Sequence, residues 1–279
     1  MKESKQSVPV RRPSAREITL DRGGPMAVTL RIGAHTELGN YRENNEDAVA
    51  VRRFDDFTVC IVADGMGGQN AGEKASGMAI DVIPRELNRH LPSARTQDDI
   101  RKVIRQAVVQ ANEEIMKIGQ LDRDFSNMGT TVVLTLWVPS FRDDVLFIAG
   151  VGDSRCYLAR GGTIEQLTTD HSLAQALVES KIISGEEARE HRYRNILWKF
   201  LGSREVGDGP DVRVLFTRPG DRLLLCTDGL SGSVPDDRLL SGLQQFTDPQ
   251  RCCEELCKLA LDMGSRDNVS CIVIDIVEA

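Results

Sequence analysis

Residues 57–65 read FTVCIVADG, an apolar and β-branched run that delivers Asp64 and then Gly65. A continuous apolar run of this length reads as a buried strand. The construction recurs. Residues 223–229, LLLCTDG, deliver Asp228 and Gly229, and residues 145–155, VLFIAGVGDSR, deliver Asp153 just after Gly152. Two more acids stand at strand starts: Asp47 closes RENNED (42–47) ahead of the run from Ala48, and Asp267 opens DNVSCIVIDIV (267–277). An acid at the end of a buried strand sits at a sheet rim on rigid backbone. Several rims meeting at one edge would crowd their carboxylates, and like charges at that range repel until protons or a cation relieve them. The ligands offered are all oxygen, which suits Mg²⁺ or Mn²⁺ rather than Zn²⁺. Glycine beside the acid lets a backbone carbonyl approach a metal. Taken singly, Asp-Gly is more often a hairpin turn and acids at strand ends are routine edge residues, so this pattern alone leaves both readings open.

Outward from these runs, strands are predicted at 28–34, 48–53 and 57–63, followed by two helical stretches. In the second, Ile100, Val103, Ile104, Ala107, Ala111, Ile115 and Ile118 recur at helical spacing, and Thr96 with Asp99 forms a capping box at its start. Strand runs at 130–138, 145–151 and 155–159 are separated by short gaps and predict antiparallel hairpins. Residues 170–210 are polar, with helical patches at 173–179 and 186–189. Strands at 212–216 and 223–227, a helix at 249–263 with Gly264 just past its end, and a strand at 269–277 complete the chain. Clustered strands with paired helices are not the alternation of a parallel sheet. They predict an α+β layer fold in one domain over 27–279, preceded by a disordered tail over 1–26 rich in Arg, Ser, Pro and Gly.

Composition narrows the function classes. The net charge of the 279 residues is −7, which argues against nucleic-acid partners and anionic membrane surfaces. No apolar run approaches the ~18 residues of a membrane span, and the first 25 residues lack the hydrophobic core of a secretory signal. The seven Cys are odd in number with no C-x-x-C, which reads as buried, reduced thiols in a cytoplasmic protein. Three near-misses carry little. GVGDSR has Arg155 where a dinucleotide loop needs its third Gly, GGQNAGEK (67–74) lacks the Gly-Lys-Ser/Thr of a P-loop, and GLSGS (229–233) lacks the closing Gly of a nucleophile elbow.

The motifs RENNEDA (42–48), VADGMGG (62–68), GTT (129–131), GVGDSR (150–155), TTDHS (168–172), CTDGL (226–230) and RDNVS (266–270) occur in that order. Each is weak alone; as an ordered set they are specific. Over about residues 30–277 the chain resembles the metal-dependent protein phosphatases (PPM, type 2C) in their compact bacterial form. The resemblance implies a central β-sandwich of two antiparallel sheets with a helix pair outside each. It implies a dinuclear Mn²⁺ or Mg²⁺ centre at one end, with a third, weaker ion. By position Asp64 is the bridging ligand, the Gly65 carbonyl binds the second metal, and Asp228 and Asp267 complete the first. Asp47 acts nearby, directly or through water. Glu46 matches a position that is Glu in some relatives and Gln in others, and Asp153 joins Asp228 at the third ion. Arg42 matches the residue that clamps the substrate phosphate, a task suited to a planar bidentate cation.

The implied reaction is hydrolysis of phosphoserine and phosphothreonine in proteins by a hydroxide shared between the two ions. Arg42, Asp64 and Asp228 carry the catalysis, and no covalent phospho-enzyme forms. The implied partners are phosphorylated proteins and an opposing serine/threonine kinase, with the chain itself a cytoplasmic monomer. Two departures stand out: Met66 replaces the His of many relatives, so the general acid is expected to be a metal-bound water, and Glu37 replaces a usual Asp. His171 is expected to make a structural hydrogen bond. A flap over about 172–210 carries Arg189, His191, Arg192, Arg194, Lys199 and Arg204, either a solvated face or a dock for acidic or phosphorylated segments. The rival functions are a metal-dependent nuclease or phosphodiesterase, disfavoured by charge, and a non-catalytic binder of phosphoproteins, disfavoured by the complete ligand set.

Overall fold

The computed structural model of the chain describes residues 28–68, 70–139 and 145–279; the tail expected over 1–26 lies outside them. In chain order the elements are β1 (Val28–Glu37), β2 (Asp47–Arg53), β3 (Thr58–Met66), α1 (Ala71–His90), α2 (Gln97–Leu121), β4 (Gly129–Thr130), β5 (Val132–Trp137), β6 (Val145–Val151), β7 (Arg155–Arg160) and β8 (Thr163–Gln166). There follow α3 (Leu173–Glu179), α4 (Gly185–Glu190), β9 (Val212–Phe216), β10 (Arg222–Cys226), α5 (Asp228–Ser231), α6 (Asp236–Gln245), α7 (Pro249–Asp262) and β11 (Val269–Glu278). Two antiparallel sheets result. One has five strands in the order β1-β11-β10-β7-β8; the other has six, in the order β2-β3-β5-β6-β9 with β4 paired to β3.

The apolar runs are continuous because both faces of their strands are buried. Along β3, Val59, Ile61 and Ala63 pack with the inner faces of α1 and α2, while Cys60 and Val62 pack between the sheets. Along β11, Ile272, Ile274 and Ile276 face the other sheet, while Cys271 and Val273 meet Cys253, Leu256 and Cys257 of α7. The outcome is four layers, helix pair, sheet, sheet, helix pair, as the family resemblance implies. The capping box at α2 is present: the Asp99 amide donates to Thr96 Oγ1 (3.1 Å) and the Thr96 amide to Asp99 Oδ2 (3.0 Å).

One point left open by the sequence is decided by the structure, and three details differ from the sequence reading. The Asp-Gly pairs are not hairpin turns: β3 continues through Asp64 and Gly65, and Asp228 opens the short helix α5. The run 130–138 is interrupted at Thr131, whose amide and hydroxyl both bond the backbone of Asp64 in β3. Strands 145–151 and 155–159 do not form a hairpin. β6 pairs with β5 and β9, whereas β7 pairs with β10 and β8 in the other sheet. The chain crosses at Gly152, whose φ of +101° suits glycine. Finally, β8, α5 and α6 have no counterpart in the periodicity reading.

Register then decides what shares an end. Asp47 lies directly opposite Asp64 in the β2–β3 pair, Glu37 opposite Val269, and Cys226 opposite both Cys271 and Arg155. The end of β3, the start of β2, the β6–β7 crossing, the end of β10 and the start of β11 therefore lie at one end of the sandwich.

Candidate metal centre

Each acid of that end is fixed by its own backbone. The Asp64 amide donates to Thr131 Oγ1 (3.0 Å), and its carbonyl accepts from the Thr131 amide (2.8 Å) and Thr130 Oγ1 (2.9 Å). At Gly65 a Cβ would stand 2.2 Å from the Gly72 carbonyl oxygen and 2.5 Å from that of Glu46, so only glycine lets these segments meet. At Gly229 a Cβ would stand 1.9 Å from the Asn268 carbonyl oxygen. That close approach, with Ser265 Oγ donating to the Gly229 carbonyl (2.8 Å), seats α5 on the 265–268 turn and brings Asp228 beside Asp267. Asn268 accepts the Glu46 amide (2.9 Å) and donates to the carbonyls of Leu38 (2.8 Å) and Asn44 (3.1 Å), tying the 38–46 loop to the same turn. Thr227 Oγ1 donates to Asp47 Oδ2 (3.0 Å).

All the acids expected from the sequence are brought together. Arg42 joins them, with Nη2 donating to Asp267 Oδ2 (2.8 Å). Asp267 Oδ1 accepts its neighbour's amide from Asn268 (2.8 Å). Glu46 Oε1 is buried with no hydrogen-bond partner. Among the described residues no group of three or more His, Cys, Asp or Glu side chains is placed so that it could hold a metal ion; here Asp267 bonds Arg42 and Asp47 bonds Thr227. His35 Nε2 pairs with Glu37 (2.9 Å) and His171 Nδ1 accepts from the Gly152 amide (3.1 Å), so neither imidazole adds to the donor set. A cavity of about 590 Å³ opens at the opposite end of the sandwich, beside Phe54, Phe57, Leu91 and Ile100, and shares no residue with the acids.

The electrostatics are those of crowded anions. Asp47, Asp64, Asp153 and Asp228 retain some exposed area yet are ringed by protein atoms, so burial is the main influence on each. Burial pushes the Asp47 carboxyl up to about 7, against the hydrogen bonds from Ser270 and Thr227, with Asp228 and Asp267 adding repulsion. Asp64 is held well above the usual carboxylate range by burial and then by Asp47, Asp228, Asp153 and Asp267. Asp153 rises by burial and then through Asp228 and Asp170, Asp228 by burial and then Asp267, and Glu46 by burial, against the Arg42 charge and a hydrogen bond from the Gly72 backbone. The Asp267 hydrogen bond raises Arg42. Such a set needs protons or cations to persist in the folded state, and an all-oxygen set is chemically fitted to a hard divalent ion.

Sequence reasoning left several residues without a role. Thr131, Thr227 and Asn268 position the acids, and their signal was present in GTT, CTDGL and RDNVS as polar residues abutting the acids. Arg155 was also unassigned. It makes a nearly buried ion pair with Asp170 (Nη2 to Oδ2, 2.7 Å), and its charge favours ionised Asp153 and Asp228. Of the basic residues in 172–210, Arg189 pairs with Asp236 (2.9 Å), Lys199 donates to the Gly209 carbonyl (3.1 Å) and Arg192 stacks on Tyr193. Arg194 is exposed and its charge favours ionised Asp228.

Comparison with known proteins shows the family and the fold. The sequence profile of the family described as "Protein phosphatase 2C" matches residues 40–263. The serine/threonine protein phosphatase PstP of Mycobacterium tuberculosis is 35% identical over 253 residues, which cover 91% of this chain and 46% of that protein; the chain spans about half the length of that relative. The serine/threonine phosphatase stp of Listeria welshimeri is 33% identical over 241 residues, 86% of this chain and 93% of that protein. A crystal structure of the catalytic domain of the serine threonine protein phosphatase PstP in complex with two manganese ions matches with a TM-score of 0.73 at 32% identity, covering 90% of this chain and 99% of that one.

Proposed function

Because this chain belongs to the protein phosphatase 2C family, we propose that it hydrolyses phosphoserine and phosphothreonine in proteins with the help of divalent metal ions, opposing a serine/threonine kinase. The observation that carries this reading is the convergence of Asp47, Asp64, Asp153, Asp228 and Asp267 on one end of the sandwich, with the buried, partnerless Glu46 Oε1 among them. Asp64, Asp228, Asp267 and the Gly65 carbonyl would hold two ions, with Asp47 and Glu46 beside them; Asp153 with Asp228 would hold a third, weaker one. Mn²⁺ is favoured over Mg²⁺ by the manganese-bound relative. The ions, when bound, supply Lewis-acid charge at the phosphoryl oxygens and activate solvent as the nucleophile.

The chain's own groups do the rest. Arg42, at the exposed edge of the cluster, keeps guanidinium donors beyond the one given to Asp267, and these fit the oxygens of a phosphate. The Thr131 and Thr227 bonds hold Asp64 and Asp47 in place without rearrangement during the reaction. No side-chain nucleophile is called on: the Cys226 thiol, two residues behind Asp228, is fully buried and pushed up to about 12, so it stays protonated and unreactive. The same proposal has the chain act in the cytoplasm as a monomer; among the described residues no helix is long and apolar enough to cross a membrane.

The test compares an aryl phosphate, a phosphothreonine peptide and a nucleic acid as substrates, with and without Mn²⁺, for the wild type and for Asp64→Asn and Asp228→Asn. Metal-dependent release of phosphate from the first two, abolished in both variants, is expected. Cleavage of the nucleic acid, or hydrolysis indifferent to chelation, would overturn the proposal.

A further inference from the structure

The turn that carries Asp153 is gripped from two sides. On one, Ser154 Oγ lies 2.6 Å from Thr131 Oγ1, the same hydroxyl that accepts the Asp64 amide. On the other, His171 takes both backbone polar groups of Gly152: the His171 amide donates to the Gly152 carbonyl (2.9 Å), and the Gly152 amide donates to His171 Nδ1 (3.1 Å). Gly152 itself has little freedom to answer by moving. Its φ is +101°, and a Cβ there would stand 2.6 Å from Thr131 Cγ2.

His171 is held in turn by the far side of the 172–210 segment. The Trp198 amide donates to the His171 carbonyl (2.9 Å), and the Trp198 ring meets the imidazole edge-on at 5.1 Å. The next residues repeat the link, with Ser172 bridged to Leu197 and the Leu173 amide donating to the Ile196 carbonyl (2.9 Å). A continuous chain of contacts therefore runs from Trp198 through His171, Gly152, Ser154 and Thr131 to the backbone of Asp64.

We propose that His171 is a positioning residue: by holding both backbone groups of Gly152 it sets the turn that presents Asp153, and through its carbonyl and ring it makes that setting depend on residues 196–198. Accepting at Nδ1 places the ring proton on Nε2. Burial, with Lys199 nearby, pushes the imidazole below its ordinary pKa, in keeping with a neutral acceptor. The role in metal binding rests on the assignment of Asp153 to the weakest-held ion. Residues that orient a ligand without touching the metal commonly change affinity by about 10–100-fold when removed.

The experiment uses the full chain with Mn²⁺ as probe and three readouts: calorimetric affinity of the weakest site, amide hydrogen exchange at Gly152, and the ¹⁵N signature of the His171 ring. The wild type is expected to show a bare, hydrogen-bonded Nδ1. His171→Leu removes the acceptor; the weakest Mn²⁺ is expected to bind about tenfold less tightly or worse, with faster exchange at Gly152. His171→Asn, whose Oδ1 can accept near the Nδ1 position, is expected to restore most of both. A folded His171→Leu protein that keeps wild-type affinity and exchange, an Asn variant no better than the Leu variant, or a proton on Nδ1 would each overturn the proposal. Should the Leu variant fail to fold, Trp198→Ala acts from a ring that is 44% exposed; faster Gly152 exchange is expected, and unchanged exchange would refute the clasp. Asp153→Asn separates the two layers. If it binds every ion as the wild type does, the ligand assignment fails, while exchange at Gly152 still decides the clasp.

Discussion

Asp170→Asn tests whether the ion pair behind the metal centre is a structural necessity. Arg155 donates to Asp170 through Nε (3.0 Å to Oδ1, 3.1 Å to Oδ2) and Nη2 (2.7 Å to Oδ2), while Gln166 Nε2 adds a fourth contact (2.9 Å). The side chains are 20% and 10% exposed. Asparagine keeps the shape but removes the charge, leaving a largely buried guanidinium without its counter-ion. Breaking such a pair costs about 3–5 kcal/mol, and the residual exposure of Arg155 places the loss near the lower figure, about 3 kcal/mol. For a chain of this size that lowers the melting temperature by roughly 6–12 °C. Urea unfolding of the chelated protein measures it. Replacing both partners, as Arg155→Leu with Asp170→Leu, is expected to cost less than Asp170→Asn alone, since no charge is stranded. A loss below about 1 kcal/mol, or a double variant worse than the single, would refute the reasoning.

Other outcomes follow from the same geometry. Gly229→Ala and Gly65→Ala drive a Cβ into fixed backbone and are expected to cost about 3 kcal/mol each, whereas Gly77→Ala, in α1 with nothing within 4 Å, gains up to about 1 kcal/mol; thermal melts that rank them otherwise would count against the packing described. Asp47, Asp64, Asp153 and Asp228 have carboxyls raised in the folded state. Their contribution to stability is therefore complete below the unfolded value near 4 and is lost as pH rises, for Asp47 through about 7. The chelated protein should melt higher at pH 5.5 than at pH 8, and the gain on adding Mn²⁺ should be larger at pH 8 because binding displaces protons; the reverse order would contradict the assigned cluster. Arg42→Lys loses the planar fork while keeping the charge, so KM for an aryl phosphate is expected to rise about tenfold with kcat less affected; steady-state kinetics with an unchanged KM would remove Arg42 from phosphate binding.

Much of the fold was legible because the central strands β3, β5, β6, β10 and β11 are buried on both faces. Continuous apolar runs such as 57–63 and 269–277 leave few alternatives to interior strands, and the 3.6-residue recurrence from Ile100 to Ile118 marks α2 equally well. The β6–β7 crossing was hidden, since a short gap reads as a hairpin and the departure depends on one glycine at φ +101°. Helix α6 was missed because its buried positions are few, Leu239, Gly242 and Leu243 among charged neighbours. Of the site, the acids were visible at strand ends, but their assembly was not. That Asp47 faces Asp64 is a matter of register, and that Asp228 reaches Asp267 depends on Gly229 lying against the Asn268 carbonyl. The supporting hydroxyls of Thr131 and Thr227 were seen only as motif letters, because their roles exist only once distant strands have met.

The most direct test is a calorimetric Mn²⁺ titration of the wild type beside Asp64→Asn, with ion content checked by elemental analysis. If side chains from β2, β3, α5 and the start of β11 hold a shared pair of ions, the wild type will take up two tightly bound Mn²⁺ and Asp64→Asn will lose affinity for both together. Tight binding that survives Asp64→Asn unchanged would contradict the account.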